Sequence, residues 1–574
     1  MLYRALIWGA AASIGLSAVL ATFVHLDRAG AASRDKTDLT IIDFTYGNGL
    51  DATAREDFYH LSQGSELLPI RWLRAMDDKA TGRPFIENLD RFGLLPDLNR
   101  KDGLPVGLTL SGSYPVVGPL VGITCAACHV GEFRNAGKGI RVDGAPNMFD
   151  MQAFYEAMRD SAQALQNDPE RLARFVQRLV QEDIDSYGWF APAVRFWYWI
   201  KGAGQAPRYV DELKARIELM KVIGTAIARR EANAKPGEMT TSGFGRLDAF
   251  NGTRNFLLGR LSTDNIVPLA APVKFPPIWN FKDYEWIEWT QNTNSILERN
   301  VTETLGAGAS VNLDANAGPQ RFDSTVSVRN LHQLETTAYK IEPPKWPAAL
   351  FGEPDAAAVA RGRQVFEAAH CAGCHEYGPE TRTPTGLIQL RVFSPSQLGV
   401  DASTAEQVAA PVKNTGDLPL EGSHSFAKAV AYVIDRIRDK AYAKEGVTPA
   451  QQAEMEDRAR RGGVYWRDTL TDTGKPYAAR LLHGVWAMAP YLHNGSVPTL
   501  YDLMLPPAER PQRFPIGHRD FDPKKVGFRT DVPLAEAKYV VDTTNPGNAN
   551  TGHTFGATLS DQERWDLIEY LKTY

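Results

Sequence analysis

Cysteine is scarce. The 574 residues hold four, Cys125, Cys128, Cys371 and Cys374, in two pairs with none left over, so a disulfide-stapled scaffold is excluded. Histidine is missing from residues 130 to 331. Lys and Arg form no long run, and a formal net charge of −5 is small for this length. Nothing therefore points to nucleic acid as a partner. After residue 26 no segment is apolar enough to span a bilayer. Strand signals are few, and the only internal repetition is that of the two cysteine pairs.

What is present is ordinary in bulk and specific in detail. Hydrophobic residues make up 43% and charged residues 23%, as in globular proteins. The length implies about two to four core-forming units. The pairs read C-A-A-C-H at 125–129 and C-A-G-C-H at 371–375. A four-cysteine zinc site does not require histidine after each pair, and a thioredoxin-like dithiol occurs once, on a βαβ pattern. Two C-x-x-C-H motifs are the attachment signature of two covalently bound haem c groups. Each cysteine adds its sulfur across a porphyrin vinyl group, and the following histidine then lies under the iron. His129 and His375 are thus the expected proximal ligands.

The opposite axial ligand decides what each iron does. For the second haem the candidates are His424, His483, His493, His518, His553, Met455, Met488 and Met504. His553, in N-A-N-T-G-H-T-F-G before the last helix, is preferred, because Gly552 and Gly556 let that loop approach a haem face. His493 and Met488, in W-A-M-A-P-Y-L-H-N-G-S, are the alternatives. For the first haem a histidine ligand comes only from His60 or from His332 onward. Met148, Met151, Met158, Met220 and Met239 are nearby, although methionine is more often core packing. The remaining option is an apolar distal pocket without a protein ligand, with Phe250 in G-F-G-R-L-D-A-F-N as its cap. The tryptophans at 189, 197, 199, 279, 286 and 289 read as packing residues, or as electron relays or channel walls.

Along the chain, Arg4 and an apolar run from Ala5 to Leu26 precede the small residues Ala29 and Ala31, the pattern of an export signal. At about 20 residues the run is also long enough for an anchor. Covalent haem attachment requires export, so a periplasmic or secreted location follows, with a cleaved signal or membrane anchoring through residues 5–26. Helices are expected near 52–62, over 148–182 with a start at Asp168-Pro169, over 207–232, and at 355–370. A last helix should be capped by Ser560 and Glu563. The Gly/Pro-rich approach to the first motif and residues 233–345 read as loops, and 340–347 as a stiff linker. The expected fold is mainly α: two cytochrome c-like haem domains with long loop-rich and helical insertions and little β. Its parts are residues 1–32, signal or anchor; 33–340, the N-terminal haem domain; and 341–574, the C-terminal one. No loop has dedicated calcium spacing, so calcium is not indicated.

Several separate stretches resemble one family. They are F-Y-H-L-S-Q-G-S-E-L-L-P, G-I-T-C-A-A-C-H-V-G-E-F, I-R-V-D-G-A-P, Y-E-W-I-E-W-T-Q-N, L-E-R-N, A-P-Y-L-H-N-G-S-V-P-T-L-Y-D-L and G-H-T-F-G. Together they resemble the rubber-oxygenase-like dihaem c-type cytochromes, relatives of bacterial dihaem cytochrome c peroxidases. The resemblance implies dioxygen at the haem of Cys125, Cys128 and His129, Phe250 on its distal side, and His553 as sixth ligand of the haem of Cys371, Cys374 and His375. It also implies oxidative cleavage of an apolar substrate. Two alternatives stand beside it. A peroxidase would reduce hydrogen peroxide with electrons from a small donor protein, and a glutamate such as Glu132, or one in 284–288, would serve as acid and base. A pure electron carrier would have both irons closed.

Overall fold

The computed structural model describes residues 40–43, 48–97, 99–114, 118–186, 188–201, 238–420, 424–467 and 476–574. The signal or anchor at 1–32, Met220 and the helix expected at 207–232 lie outside them.

The approach to the first motif, expected as loop, is paired strand. Strand β1 (Thr40–Asp43) is followed by helix α1 (Ala52–His60) and by β2 (Leu68–Pro69), β3 (Leu108–Tyr114), β4 (Gly118–Ile123), β5 (Val130–Asn135) and β6 (Lys138–Asp143). Two three-stranded sheets result, ordered β2-β4-β3 and β1-β6-β5. The glycines that read as loop punctuation allow close approach instead. A Cβ on Gly107 would lie 2.1 Å from the backbone nitrogen of Ala127, and one on Gly122 would lie 2.0 Å from the Ser65 carbonyl oxygen. Ala136 and Gly137 both have positive φ and join β5 to β6 as a two-residue turn whose twist suits a hairpin.

The helices follow the expected spacing. α2 (Met151–Asn167) and α3 (Pro169–Ser186) are separated at Asp168, whose carboxylate accepts from the backbone N–H groups of Glu170 and Arg171. Next come β7 (Arg246–Leu247), α4 (Ala249–Thr253) and β8 (Val273–Lys274), with β7 and β8 antiparallel. The region read as loop also carries α5 (Ile296–Gly306) and α6 (Val328–Ala338), each N-capped by a serine. α7 (Ala356–Ala368) runs toward Cys371, and α8 (Phe426–Glu445) packs on α5 and α6. The last helix, α9 (Asp561–Leu571), has the Ser560/Glu563 capping box. α7 and α9 cross at Gly362, where a Cβ would meet the Asp566 carbonyl oxygen at 1.9 Å. Arg361 pairs with the Asp566 carboxylate there.

The segment read as a linker is part of the interior. Trp346 is buried, the Pro344 carbonyl accepts from Trp486 Nε1 at 2.9 Å, and the Glu342 N–H donates to the Asn48 carbonyl. One hydrophobic cluster takes in Phe58, Phe133 and Trp279 as well as Phe366, Trp486 and Ile568. The chain on either side of residue 340 therefore shares apolar burial, the main stabilising contribution.

Candidate haem sites

Both C-x-x-C-H motifs close on the same turn. The Cys125 carbonyl accepts from the N–H groups of Cys128 and His129, and the Cys371 carbonyl accepts from those of Cys374 and His375. Each turn thus gathers two thiols and an imidazole. The four cysteines are unbridged, and among the described residues no three His, Cys, Asp or Glu side chains converge to hold a metal ion. A zinc site built from both pairs is not what the structure contains.

At the second motif, His375 Nδ1 donates to the Arg480 carbonyl at 2.7 Å. Such a bond fixes the ring and leaves Nε2 with a lone pair for a metal. The His553 ring stands across from it, with centroids 6.3 Å apart and planes at 49°. Two metal–imidazole bonds of about 2.0–2.1 Å, each with about 1.1 Å from nitrogen to ring centre, give a separation of about 6.3 Å. The spacing therefore fits one iron between the two rings. Burial, then His375 and Arg510, lower the His553 pKa to about 4, which keeps the imidazole in the neutral, ligating form.

The backbone sets that ring. His553 has φ 48°, and its N–H donates to the Leu398 carbonyl. Gly552 passes so close to Gly399 that a Cβ would lie 2.4 Å from the Gly399 carbonyl carbon. Arg510 donates to the carbonyls of Leu505, Asn550, Gly552, Leu503 and His553, so one guanidinium gathers the loop. Of the alternatives, His493 is buried and stacked on Tyr477 at 4.3 Å, with its Nε2 unpartnered. Met488 is a partly buried residue packed against the core. Met455 and Met504 are core residues, and His483 Nδ1 is bonded to the Asn280 amide.

At the first motif the surroundings differ. Motifs noted in the sequence hold the turn from outside: Asn147 Nδ2 donates to the Ala127 carbonyl, while Arg55 and Tyr59 donate to Asp143. His129 is buried. Burial, then Arg299, bring its pKa to about 3, against a small opposing effect of the Pro276 carbonyl. Its ring neighbour is Phe275, at 6.4 Å, and among the described residues no second imidazole faces it as His553 faces His375. His60 has Nε2 on Asp97 at 2.7 Å and Nδ1 near the Leu108 carbonyl. Met148, Met151 and Met158 are core residues, and Met239 is half-buried.

What the first site does gather is charge. Arg299 on α5 pairs with Glu288 and Glu303, and its field reaches Cys125, Cys128 and His129. The Glu303 side chain is 44% exposed, yet burial is the main reason its pKa rises to about 7, against the lowering effect of Arg299. Cys125 is likewise half-exposed while burial pushes its thiol up to about 12. Glu335 on α6 accepts from Asn300 Nδ2, and burial raises it to about 8. Tyr155 Oη is buried without a partner, and the Cys128 thiol contributes to raising its pKa.

Glu132, considered as an acid/base, is not free for that role. It is buried and paired with Arg134 and Arg141, with Arg519 at 3.9 Å. Burial raises its pKa, but the three arginines outweigh that and hold it low. Phe250 lies on α4, half-buried, with its ring edge-on to Phe426 at 6.4 Å, and α4 packs on α5. Trp289 lies under the Arg480 guanidinium and Trp286 under that of Arg467. Trp279 Nε1 donates to the His483 carbonyl, and Trp189 is 82% exposed. Glu303, Glu335 and Arg510 went unread in the sequence. The signal for Glu303 was its place one helical turn after Arg299 of L-E-R-N, where opposite charges meet.

Comparison with known proteins adds a domain match and two relatives. A family described as RoxA-like, cytochrome c-like matches residues 476–515, the stretch that contains Arg480, His493 and Arg510. The uncharacterized protein y4iJ of Sinorhizobium fredii is 32% identical over 580 residues, covering 90% of each chain. The uncharacterized protein y4iM of the same organism is 28% identical over 371 residues, covering 59% of this chain and 72% of its own. The chain belongs to the family of y4iJ, and its residues 476–515 match a RoxA-like, cytochrome c-like domain.

Proposed function

We propose that the protein is an exported dihaem oxidoreductase with two unequal irons. Haem c would supply, at each motif, an iron that changes oxidation state and that activates dioxygen or peroxide where one axial position is left to it. The chain's residues divide the work. His375 and His553 would hold the iron of the second haem, an arrangement that suits electron transfer. His129 would hold that of the first, with Phe250 a candidate for the distal wall. Trp289, under the guanidinium of Arg480, is a candidate relay. The substrate reading is oxidative cleavage of an apolar compound with dioxygen. The observation that carries the proposal is the 6.3 Å His375–His553 pair against a His129 whose ring neighbour is Phe275.

A second reading is favoured by Glu303. A carboxyl with a pKa of about 7, paired with Arg299 beside the first motif, is poised to move a proton during peroxide reduction. Optical spectra of the purified protein, before and after imidazole, test the shared core of both readings. The expected result is two haems per chain, one low-spin and unresponsive, one altered by imidazole. Two low-spin, unresponsive haems would leave only an electron carrier. Dioxygen consumption with an apolar alkene, set against peroxide-driven oxidation of a reduced donor, then separates oxygenase from peroxidase.

A further inference from the structure

We propose that Arg480 and the Trp289 indole form a carboxylate-binding site that holds a propionate of the porphyrin carried by Cys371 and Cys374. The proposal rests on the dihaem reading above. Arg480 lies 4.2 Å over the Trp289 ring centre. Its Nε is buried without a partner, and among the described residues no carboxylate stands within ion-pairing distance of its guanidinium. The acid nearest in effect, Glu288, is committed to Arg299 at 2.5 Å. Trp289 Nε1 is also buried without a partner.

A buried guanidinium without an anion is costly, and so is a buried indole N–H without an acceptor. One acceptor-only group relieves both donors, and a carboxylate matches the planar Arg fork. A porphyrin brings such carboxylates. The second haem is indicated because the same Arg480 takes the His375 Nδ1 proton on its carbonyl, and the Ala478 N–H donates to the Trp289 carbonyl. The anchor therefore stands on the segment that orients that haem's ligand.

Redox titration of the full chain tests this, with the two haems told apart by their response to imidazole and counted by pyridine haemochrome. Removing a cation beside a haem favours its oxidised form. In Arg480→Met the second haem should shift about tenfold toward oxidised, or about 59 mV for one electron. Its potential should also become pH-dependent between about pH 5 and 8, because the propionate is no longer held ionised. Arg480→Lys should restore most of the potential, Trp289→Phe should shift it about threefold, and the first haem should not move. Two haems with unchanged potentials in Arg480→Met and Trp289→Phe, or a shift confined to the first haem, would overturn the anchor. Fewer than two haems in the unaltered protein would overturn the dihaem reading instead, and the anchor with it. If Arg480→Met does not fold, Arg480→Lys and Trp289→Phe decide, since a change in pH dependence is not produced by lost packing alone.

Discussion

The two C-x-x-C-H turns have the same backbone and opposite surroundings. Around the second, neutral carbonyls do the holding: Arg480's on His375, Leu398's on the His553 N–H, and five more on Arg510. Near the first, ionisable side chains gather: Arg299, Glu288 and Glu303, with Glu335 bonded to Asn300 on the helix of Arg299. A shell of peptide dipoles is rigid and does not titrate, so it suits an iron that should do no more than change oxidation state. Glu303 and Glu335, whose pKa values burial raises, can take up and release protons, as chemistry on an oxygen ligand requires.

The sharpest way to break the contrast is to unmake the second site's closure. In His553→Ala the second haem should lose its low-spin spectrum entirely and regain it with added imidazole, while the first site's response stays as it was. A low-spin spectrum that survives the substitution would remove His553 as the ligand. The next effect belongs to the first site. A carboxyl with a pKa of about 7 is protonated below that pH, so a step that uses its base form speeds up as pH rises through 7. Peroxide turnover should follow that rise and lose it in Glu303→Gln, with about a hundredfold loss at pH 8. A pH profile unchanged by the substitution would exclude Glu303 as the base. A smaller effect is expected from Gly552→Val. The added side chain meets Gly399 at a positive φ, at a cost of about 1–3 kcal/mol. Urea unfolding should show that loss together with partial high-spin character at the second haem alone.

These contrasts were only partly legible in the sequence. The C-x-x-C-H turns, α7, the capped α9 and the placing of His553 follow from local chemistry: fixed spacing, a capping box, and glycine before a ligand loop. The hairpins around the first motif did not follow. Their glycines signal turns, whereas Gly107 and Gly122 are there because backbone passes within about 2 Å of where a Cβ would stand. Residues 340–347 looked like a linker because prolines stiffen linkers, and only the distant Trp486 shows that they line a core. Glu132 sits beside the haem motif in sequence, but its cross-strand partner Arg141 faces it only after the hairpin has formed. Arg510 carries no motif at all, since its five acceptors are backbone groups from two separate segments.

The smallest expected effect concerns Phe250, and it separates two roles that sequence cannot tell apart. The ring is half-buried and edge-on to Phe426 at 6.4 Å, in the apolar cluster that includes Leu297 and Val301 of α5. Arg299 and Glu303 belong to the same helix. As a packing residue only, Phe250→Ala should lower stability by the aromatic pair, about 0.5–1.5 kcal/mol, plus some lost burial, and leave imidazole affinity at the first haem untouched. As part of the cavity wall, it should also change that affinity by about threefold to tenfold, because a distal surface decides access to the iron. Phe426→Leu is the control. It removes the same ring contact from α8, so it should reproduce the stability loss without the affinity change. If both variants alter ligand binding equally, Phe250 acts through the position of α5 and not by facing the ligand.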